Sequence, residues 1–187
     1  LFVQLENGKI KAVREYLDKG GNAFFLFDPF VRTGLEPVIQ DLGVNLDNDI
    51  VIDDASHFWA DPSAPAVSDY NRHQITQGLP MSFFPGARSL SPTEKPVPGS
   101  AVIPLVNSSK QSFGEFTPDR IKFDEGRDQQ GPNTIMVLLT RKPVSAVTAA
   151  MIEHGAGKAG AAGATAEDVG GKAGTAVRKS RIAISGD

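Results

Sequence analysis

Asp53, Asp54, His57 and Asp61 crowd a short stretch just after an apolar run, Ile50-Val-Ile52. Carboxylates and an imidazole are hard ligands, so one reading of this set is a divalent-metal site. The other is a polar loop whose carboxylates cap turns, and it is the stronger of the two. Asp47, Asn48 and Asp49 lack the alternating spacing of a calcium loop. Asp124, Glu125 and Asp128, ahead of Gly131-Pro132, read as a surface turn rather than a cation site. No metal and no other cofactor is expected.

Acyl transfer by a Ser/His/Asp relay needs a serine on a strained strand-to-helix turn, and the chain has no GxSxG. Its histidines are His57, His73 and His154. Ser108, Ser109 and Ser112 follow a strand and read first as loop hydroxyls bonded to backbone. His73, just before Ile75-Thr76, reads as a packed side chain bonded to a carbonyl. Gly155, Gly157 and Gly160 match GxGxxG, but they follow a helical pattern inside a Gly/Ala tract, where the spacing arises by chance. Lys158 and Lys172 each follow a glycine without a phosphate-loop spacing. Trp59, Phe83 and Phe84 read as lids over the core more than as walls of a ligand pocket. The absence of cysteine excludes a Cys nucleophile, Cys-ligated zinc or iron–sulfur centres, and disulfides.

The elements that must position these residues begin with Arg14–Phe30. Ile10, Val13 and Leu17 share one helix face over residues 6–19, and Gly20-Gly21 stops that helix. Phe24 to Phe27 is a continuous apolar run, which suits a strand covered on both faces. Asp28 then stands at the strand's carboxyl end, where open α/β sheets bind ligands. Thr33 and Glu36 have capping-box spacing, Leu35, Val38, Ile39 and Leu42 give a second helical face, and 49–53 is a short strand ending in a carboxylate. The alternation predicts an α/β domain of three layers with a mostly parallel sheet. Residues 54–78 read as an irregular connection and 91–100 as a loop. Strands are expected at 101–106, with Pro104 forcing an edge or bulge, at 134–139 as a central strand, and at 181–185. A helix is expected at 144–153 and a flexible Gly/Ala-rich loop at 155–176.

A length of 187 residues fits one domain over 1–187, with 40% hydrophobic and 22% charged residues. The 19 Lys and Arg against 22 Asp and Glu leave a net charge of −3, which argues against nucleic acid or an anionic membrane as the main partner. The chain opens as if a strand had just ended and closes as if a loop were beginning. That pattern reads as a fragment of a longer, membrane-anchored protein, with the membrane segments outside it.

Several stretches, in order, resemble the GldG-like family, auxiliary extracytoplasmic components of ABC transport systems that include those of gliding motility. They are YLDKGGNAFFLFDP (16–29), GLEPVIQDLGVNLDNDIVID (34–53), His73 with Ile75-Thr76, PLVNSSKQSFGEF (104–116), DEGRDQQGP (124–132) and RIAISGD (181–187). Phe113 stands where the family pattern has Trp, and the 155–176 tract departs from it. The resemblance implies a relation to a domain of intraflagellar-transport proteins and a flavodoxin-like or class I glutamine amidotransferase-like fold. The glutaminase activity of such relatives needs a cysteine and does not carry over.

What the resemblance implies is a non-enzymatic domain on the extracytoplasmic (periplasmic) face of the cytoplasmic membrane, partnered by an ABC permease and ATPase. Its contact or ligand-capture rim is expected around Asp28, Asp53, Asp54, His57, His73 and Ser109. The alternative is a carbohydrate- or small-molecule-binding module independent of a transporter, and a hydrolase using a carboxylate or Ser109 ranks last.

Overall fold

The computed structural model describes residues 5–95, 97–117, 121–142 and 180–186. The helix expected at 144–153, His154, the glycine spacing at 155–160, Lys158, Lys172 and the 155–176 tract lie outside the described residues.

Helix α1 spans Asn7–Asp18. Leu17 is fully buried, and Ile10 and Val13 pack against the same core from partly exposed positions. The helix closes where Gly20 takes φ 90°, and the Gly21 N–H donates back to the Tyr16 carbonyl at 3.0 Å. Helix α2, Glu36–Asp41, buries Leu35, Val38, Ile39 and Leu42 as the periodicity requires. Its entry is fixed by Glu36, whose carboxylate accepts the N–H of Thr33 at 2.6 Å and that of Gly34 at 2.8 Å.

Burial alone would raise the Glu36 carboxyl, but the hydrogen bonds from Thr33 and Gly34 outweigh it and hold the group below its ordinary range. An acid lowered in the folded state stabilises the fold above its unfolded value and loses that contribution as pH falls through its folded value. Glu36→Ala is therefore expected to cost about 1 kcal/mol at neutral pH, with the gap closing in acid. Urea unfolding at both pH values measures it, and a gap independent of pH would refute the capping account.

The strands are β1 (Ala23–Leu26), β2 (Val44–Leu46), β3 (Ile50–Ile52), β4 (His57–Phe58), β5 (Asp61–Val67), β6 (Ser82–Phe83), β7 (Leu90–Pro92), β8 (Ser100–Asn107), β9 (Phe113–Glu115), β10 (Gln129–Gln130), β11 (Thr134–Arg141) and β12 (Ser180–Ser185). They form one sheet in the order β1-β12-β11-β8 and three smaller ones, β10-β9-β3, β2-β7 and β4-β5-β6. Only the β1–β12 pair is parallel among the described strands.

The expected three-layer, mostly parallel flavodoxin-like or glutamine amidotransferase-like α/β fold is therefore wrong. The domain is mostly β, and α1 and α2 are its helices among the described residues. The alternation of elements misleads because successive strands do not return to one sheet. After α2 the chain turns at Gly43, φ 106°, straight into β2, which pairs with β7. The β3 strand turns instead to β9.

The apolar run at β1 misleads for a second reason. Phe24 and Leu26 are 60% and 56% exposed, while Phe25 and Phe27 stack inward with ring centroids 5.9 Å apart. Among the described strands β1 lies at the edge of its sheet, covered on one face, and is not a central strand covered on both. The segment 54–78 is also more regular than expected. It holds β4 and the whole of β5 despite Pro62 and Pro65, because those prolines serve as acceptors: Asp53 N–H bonds the Pro62 carbonyl at 2.8 Å and Phe84 N–H bonds that of Pro65 at 3.0 Å. Within 91–100, expected as a loop, Ser91 and Pro92 belong to β7.

Strand β11 lies between β12 and β8, as its apolar run predicts, and joins two cores. Val137 and Leu139 meet Leu17, Ile39, Leu42, Ile182 and Ile184 in one; Ile135 and Leu138 meet Val51, Leu105 and Val106 in the other. β8 is at the other edge of this sheet among the described strands, and its register with β11 shifts beside Pro104. Among the described residues no helix is long and apolar enough to cross a membrane.

Candidate functional site

Asp53 ends β3 and is fully buried. Its Oδ1 accepts from the Ala55 N–H at 3.2 Å, the Ser56 N–H at 2.9 Å and the Ser109 hydroxyl at 2.7 Å. Its Oδ2 accepts from the Ser109 N–H at 2.7 Å. The carboxylate thus closes the turn after β3 and fastens the loop after β8 to it.

His57 donates from Nδ1 to the Asp53 main-chain carbonyl at 2.9 Å, since a carbonyl only accepts; the ring proton is therefore on Nδ1. The three residues meet, but not as a relay. The Ser109 hydroxyl proton goes to the carboxylate, and His57 bonds a different atom of Asp53. The four donors on the carboxylate make Ser109 one of its fastenings, with its N–H and its hydroxyl both bonded to Asp53.

The rest of the knot is hydroxyl and amide. Ser108 Oγ lies 2.6 Å from Ser112 Oγ and accepts the Asn133 N–H at 2.8 Å. Gln130 Nε2 donates to the carbonyls of Lys110 and Ser112, each at 3.1 Å. Gly131 fits because a β-carbon there would overlap Ser112. Asp54, next to the knot, is exposed.

Asp28 and His73 lie apart from this knot. The exposed Asp28 contributes its main-chain carbonyl, which accepts from Arg88 at 3.2 Å. The His73 Nδ1 accepts from the Ile75 N–H at 3.1 Å, so His73 carries the opposite tautomer to His57. It lines a cleft of about 650 Å³ with Asp69, Asn71, Arg72 and Gln77. A second cleft of about 380 Å³, beside Ser109, Lys110 and Asn107, shares the wall Ser68, Asp69 and Asn71 with the first. Asp61 accepts from the N–H and hydroxyl of Ser63, closing its own turn. Among the described residues, no group of three or more His, Asp or Glu is arranged to hold a metal ion.

Sequence reasoning passed over a second buried cluster. Ser89 donates its N–H to Asp49 Oδ1 at 2.9 Å. Its hydroxyl lies 2.7 Å from Asp49 Oδ2 and 3.2 Å from Asp47 Oδ2. The hydroxyl gives its proton mainly to the nearer oxygen, that of Asp49, and the Asp47 contact is the weaker of the two. Burial pushes Asp49 and Asp47 above the ordinary aspartate range, against the opposing hydrogen bonds, from Ser89 to Asp49 and from Ser91 and Ser89 to Asp47, and against the nearby Arg88 charge. Asp47 and Asp49 stand out in the sequence only as a failed calcium loop, and their partners Arg88 and Ser89, some 40 positions on, carry no period to read.

An acid raised in the folded state costs stability while ionised, and the fold regains it as pH falls through the folded value towards the ordinary aspartate range. Asp49→Asn keeps an acceptor for the Ser89 N–H and offers a donor to its hydroxyl. It is expected to match or exceed the wild type at neutral pH by up to about 1 kcal/mol, with the advantage vanishing as pH falls. Paired urea titrations test this; a variant less stable at neutral pH than in acid, relative to wild type, would show the sign to be wrong.

No protein-family model and no curated protein sequence matches the chain. Among solved structures it is similar to one described as "mmIFT52 N-terminal domain", with 12% identity and a TM-score of 0.54. The similarity covers 99% of this chain and 61% of that one, so the chain spans less than two thirds of its neighbour. At that identity the likeness speaks to architecture alone: the chain shares its fold with an IFT52 N-terminal domain.

Proposed function

We propose that this chain is a non-enzymatic, extracytoplasmic domain of a GldG-like auxiliary protein of an ABC transport system, and that it works by contact with the permease and ATPase assembly. The observation that carries this reading is where the resembling segments go. The strand ending in Asp53, the Ser-rich segment with Ser108, Ser109 and Ser112, and the polar turn before Gly131 are distant in sequence and meet in one knot. Their polar atoms bond one another, which fits a motif set that defines a fold rather than a reaction. The relation to intraflagellar-transport domains that the resemblance implies and the fold likeness to an IFT52 domain point the same way.

The test is mass spectrometry of proteins that co-purify with the tagged full-length protein from detergent-solubilised membranes. Near-stoichiometric permease and ATPase is the expected result. A full-length protein found without them overturns the proposal.

The 650 Å³ cleft favours a second reading, a carbohydrate- or small-molecule-binding module, because its size suits a small ligand and Asp69, Asn71, Arg72, His73 and Gln77 offer both donors and acceptors. A saturable thermal shift with monosaccharides, lost in His73→Ala with Gln77→Ala, would support it. A flat response across a sugar panel removes it.

A further inference from the structure

Strand β4 turns into β5 at Trp59, which is the only tryptophan in the chain, is 88% exposed and is held at φ 58°. That is left-handed backbone, unfavourable for a bulky side chain. Phe58 and Phe83, 47% and 43% exposed, bring their rings to 4.3 Å, and the Trp59 ring lies 6.5 Å from that of Phe58. The next residue after Phe83, Phe84, turns into the core with Val67 and Leu105. The small sheet therefore has one face in the core and one aromatic face outward. Folding alone gives no reason to hold a strained tryptophan in water.

The rim has a sign. Asp61 sits across the strands from Phe58, and the exposed Asp54 and Asp69 flank the β4–β5 segment in the chain, before His57 and after Val67. Between residues 54 and 83, Arg72 is the only Lys or Arg. A second copy docked through this same face would bring acid against acid, and an anionic lipid surface would be repelled in the same way. An apolar centre with an acidic rim is complementary to a protein segment with the opposite charge around the same centre.

We infer that the outer face of β4-β5-β6, with Trp59 as its anchor, docks a protein segment whose large apolar side chains are flanked by Lys or Arg. This rests on the contact role proposed above and names its surface. Trp59→Gly separates docking from folding, because glycine adopts φ 58° without strain. The variant keeps or raises the melting temperature while removing the ring.

A random peptide library displayed on phage is panned on the wild-type domain and counter-selected on Trp59→Gly. Enriched sequences are then synthesised without tryptophan and titrated by the emission of Trp59. The expected winners combine Phe, Leu or Met with Lys or Arg and shift the emission to the blue. They bind Trp59→Gly about thirtyfold more weakly, and weaken with salt and with the pair Asp54→Lys and Asp61→Lys. Winners indifferent to Trp59→Gly, winners without basic enrichment, or no enrichment overturn the inference. So does an emission shift produced by phosphatidylglycerol vesicles or by raising the protein's own concentration in place of peptide.

Full-length Trp59→Gly separates the two proposals. If permease and ATPase still co-purify with it, the contact role stands and this surface fails. If peptides bind while the wild type recovers no transporter subunits, the surface stands and the transporter reading fails.

Discussion

Asp53→Ala is expected to lower stability by about 4 kcal/mol, a large share of the roughly 5–15 kcal/mol that holds a domain folded. The side chain is fully buried and accepts from two donors of its own turn and two of Ser109. Alanine leaves those N–H groups and that hydroxyl facing apolar surroundings or each other. Asp53→Asn is not a rescue, since whichever oxygen is replaced, an NH₂ group meets an N–H donor, and its expected cost is about 3 kcal/mol. Ser109→Ala removes the hydroxyl that donates to Asp53 and accepts the exposed Gln111 N–H, and leaves the carboxylate three donors, for about 1.5 kcal/mol. Urea unfolding monitored by near-ultraviolet circular dichroism gives all three. An Asp53→Asn variant as stable as wild type would mean the carboxylate is not the fastening that the geometry describes. The contrast with Asp49→Asn is the sharper check: the same substitution should be harmless where one oxygen meets only a reorientable hydroxyl and severe where both oxygens meet fixed N–H groups.

That contrast also marks how far the sequence could be read. Helices α1 and α2, the central strand β11 and the edge position of β8 were legible, because periodicity, caps and proline act over a few residues. Gly20 and Glu36 do their work within one turn of where they stand. The sheet was not legible, because strand pairing is decided by distant partners. Ala23–Leu26 pairs with Ser180–Ser185, at the other end of the chain. Four apolar residues in a row say that a strand is hydrophobic; they do not say whether its outer face is covered. Phe24 and Leu26 are exposed in this structure all the same.

The site behaved likewise. Asp53 and Ser109 were picked out by residue type and by resemblance, and the structure brings them to 2.7 Å. That their polar groups are committed to each other depends on a separation of 56 positions that no spacing rule covers. Trp59 was read as a lid over the core because aromatic residues near loops usually are. Its exposure comes from a left-handed turn that nothing in its neighbours encodes.

Arg88→Met should be as damaging as Asp53→Ala, by a different route. Arg88 is buried, and its guanidinium donates to the main-chain carbonyls of Asp47 at 2.7 Å, Leu46 at 3.0 Å and Asp28 at 3.2 Å. A single side chain therefore closes the ends of β1 and β2 over the start of β7. Its charge is also the positive neighbour of Asp49, Asp47 and Glu36; burial pulls the guanidinium below its ordinary range, and those carboxylates push it back.

Methionine keeps much of the stem's packing and removes every donor, so three carbonyls go unpaired and the aspartates lose their counter-charge. The expected loss is about 4 kcal/mol, or a melting temperature lower by about 10 °C. Arg88→Lys keeps the charge, but a point donor cannot span three carbonyls held in a fork, so it should recover less than half of the loss. A second signature distinguishes this from simple loss of packing. Without the guanidinium, Asp47 and Asp49 move further above their ordinary range, and Arg88→Met must regain stability on acidification more steeply than wild type. If the variant loses stability with the same pH slope as wild type, the charge on Arg88 is incidental and its role is that of a stem filling space.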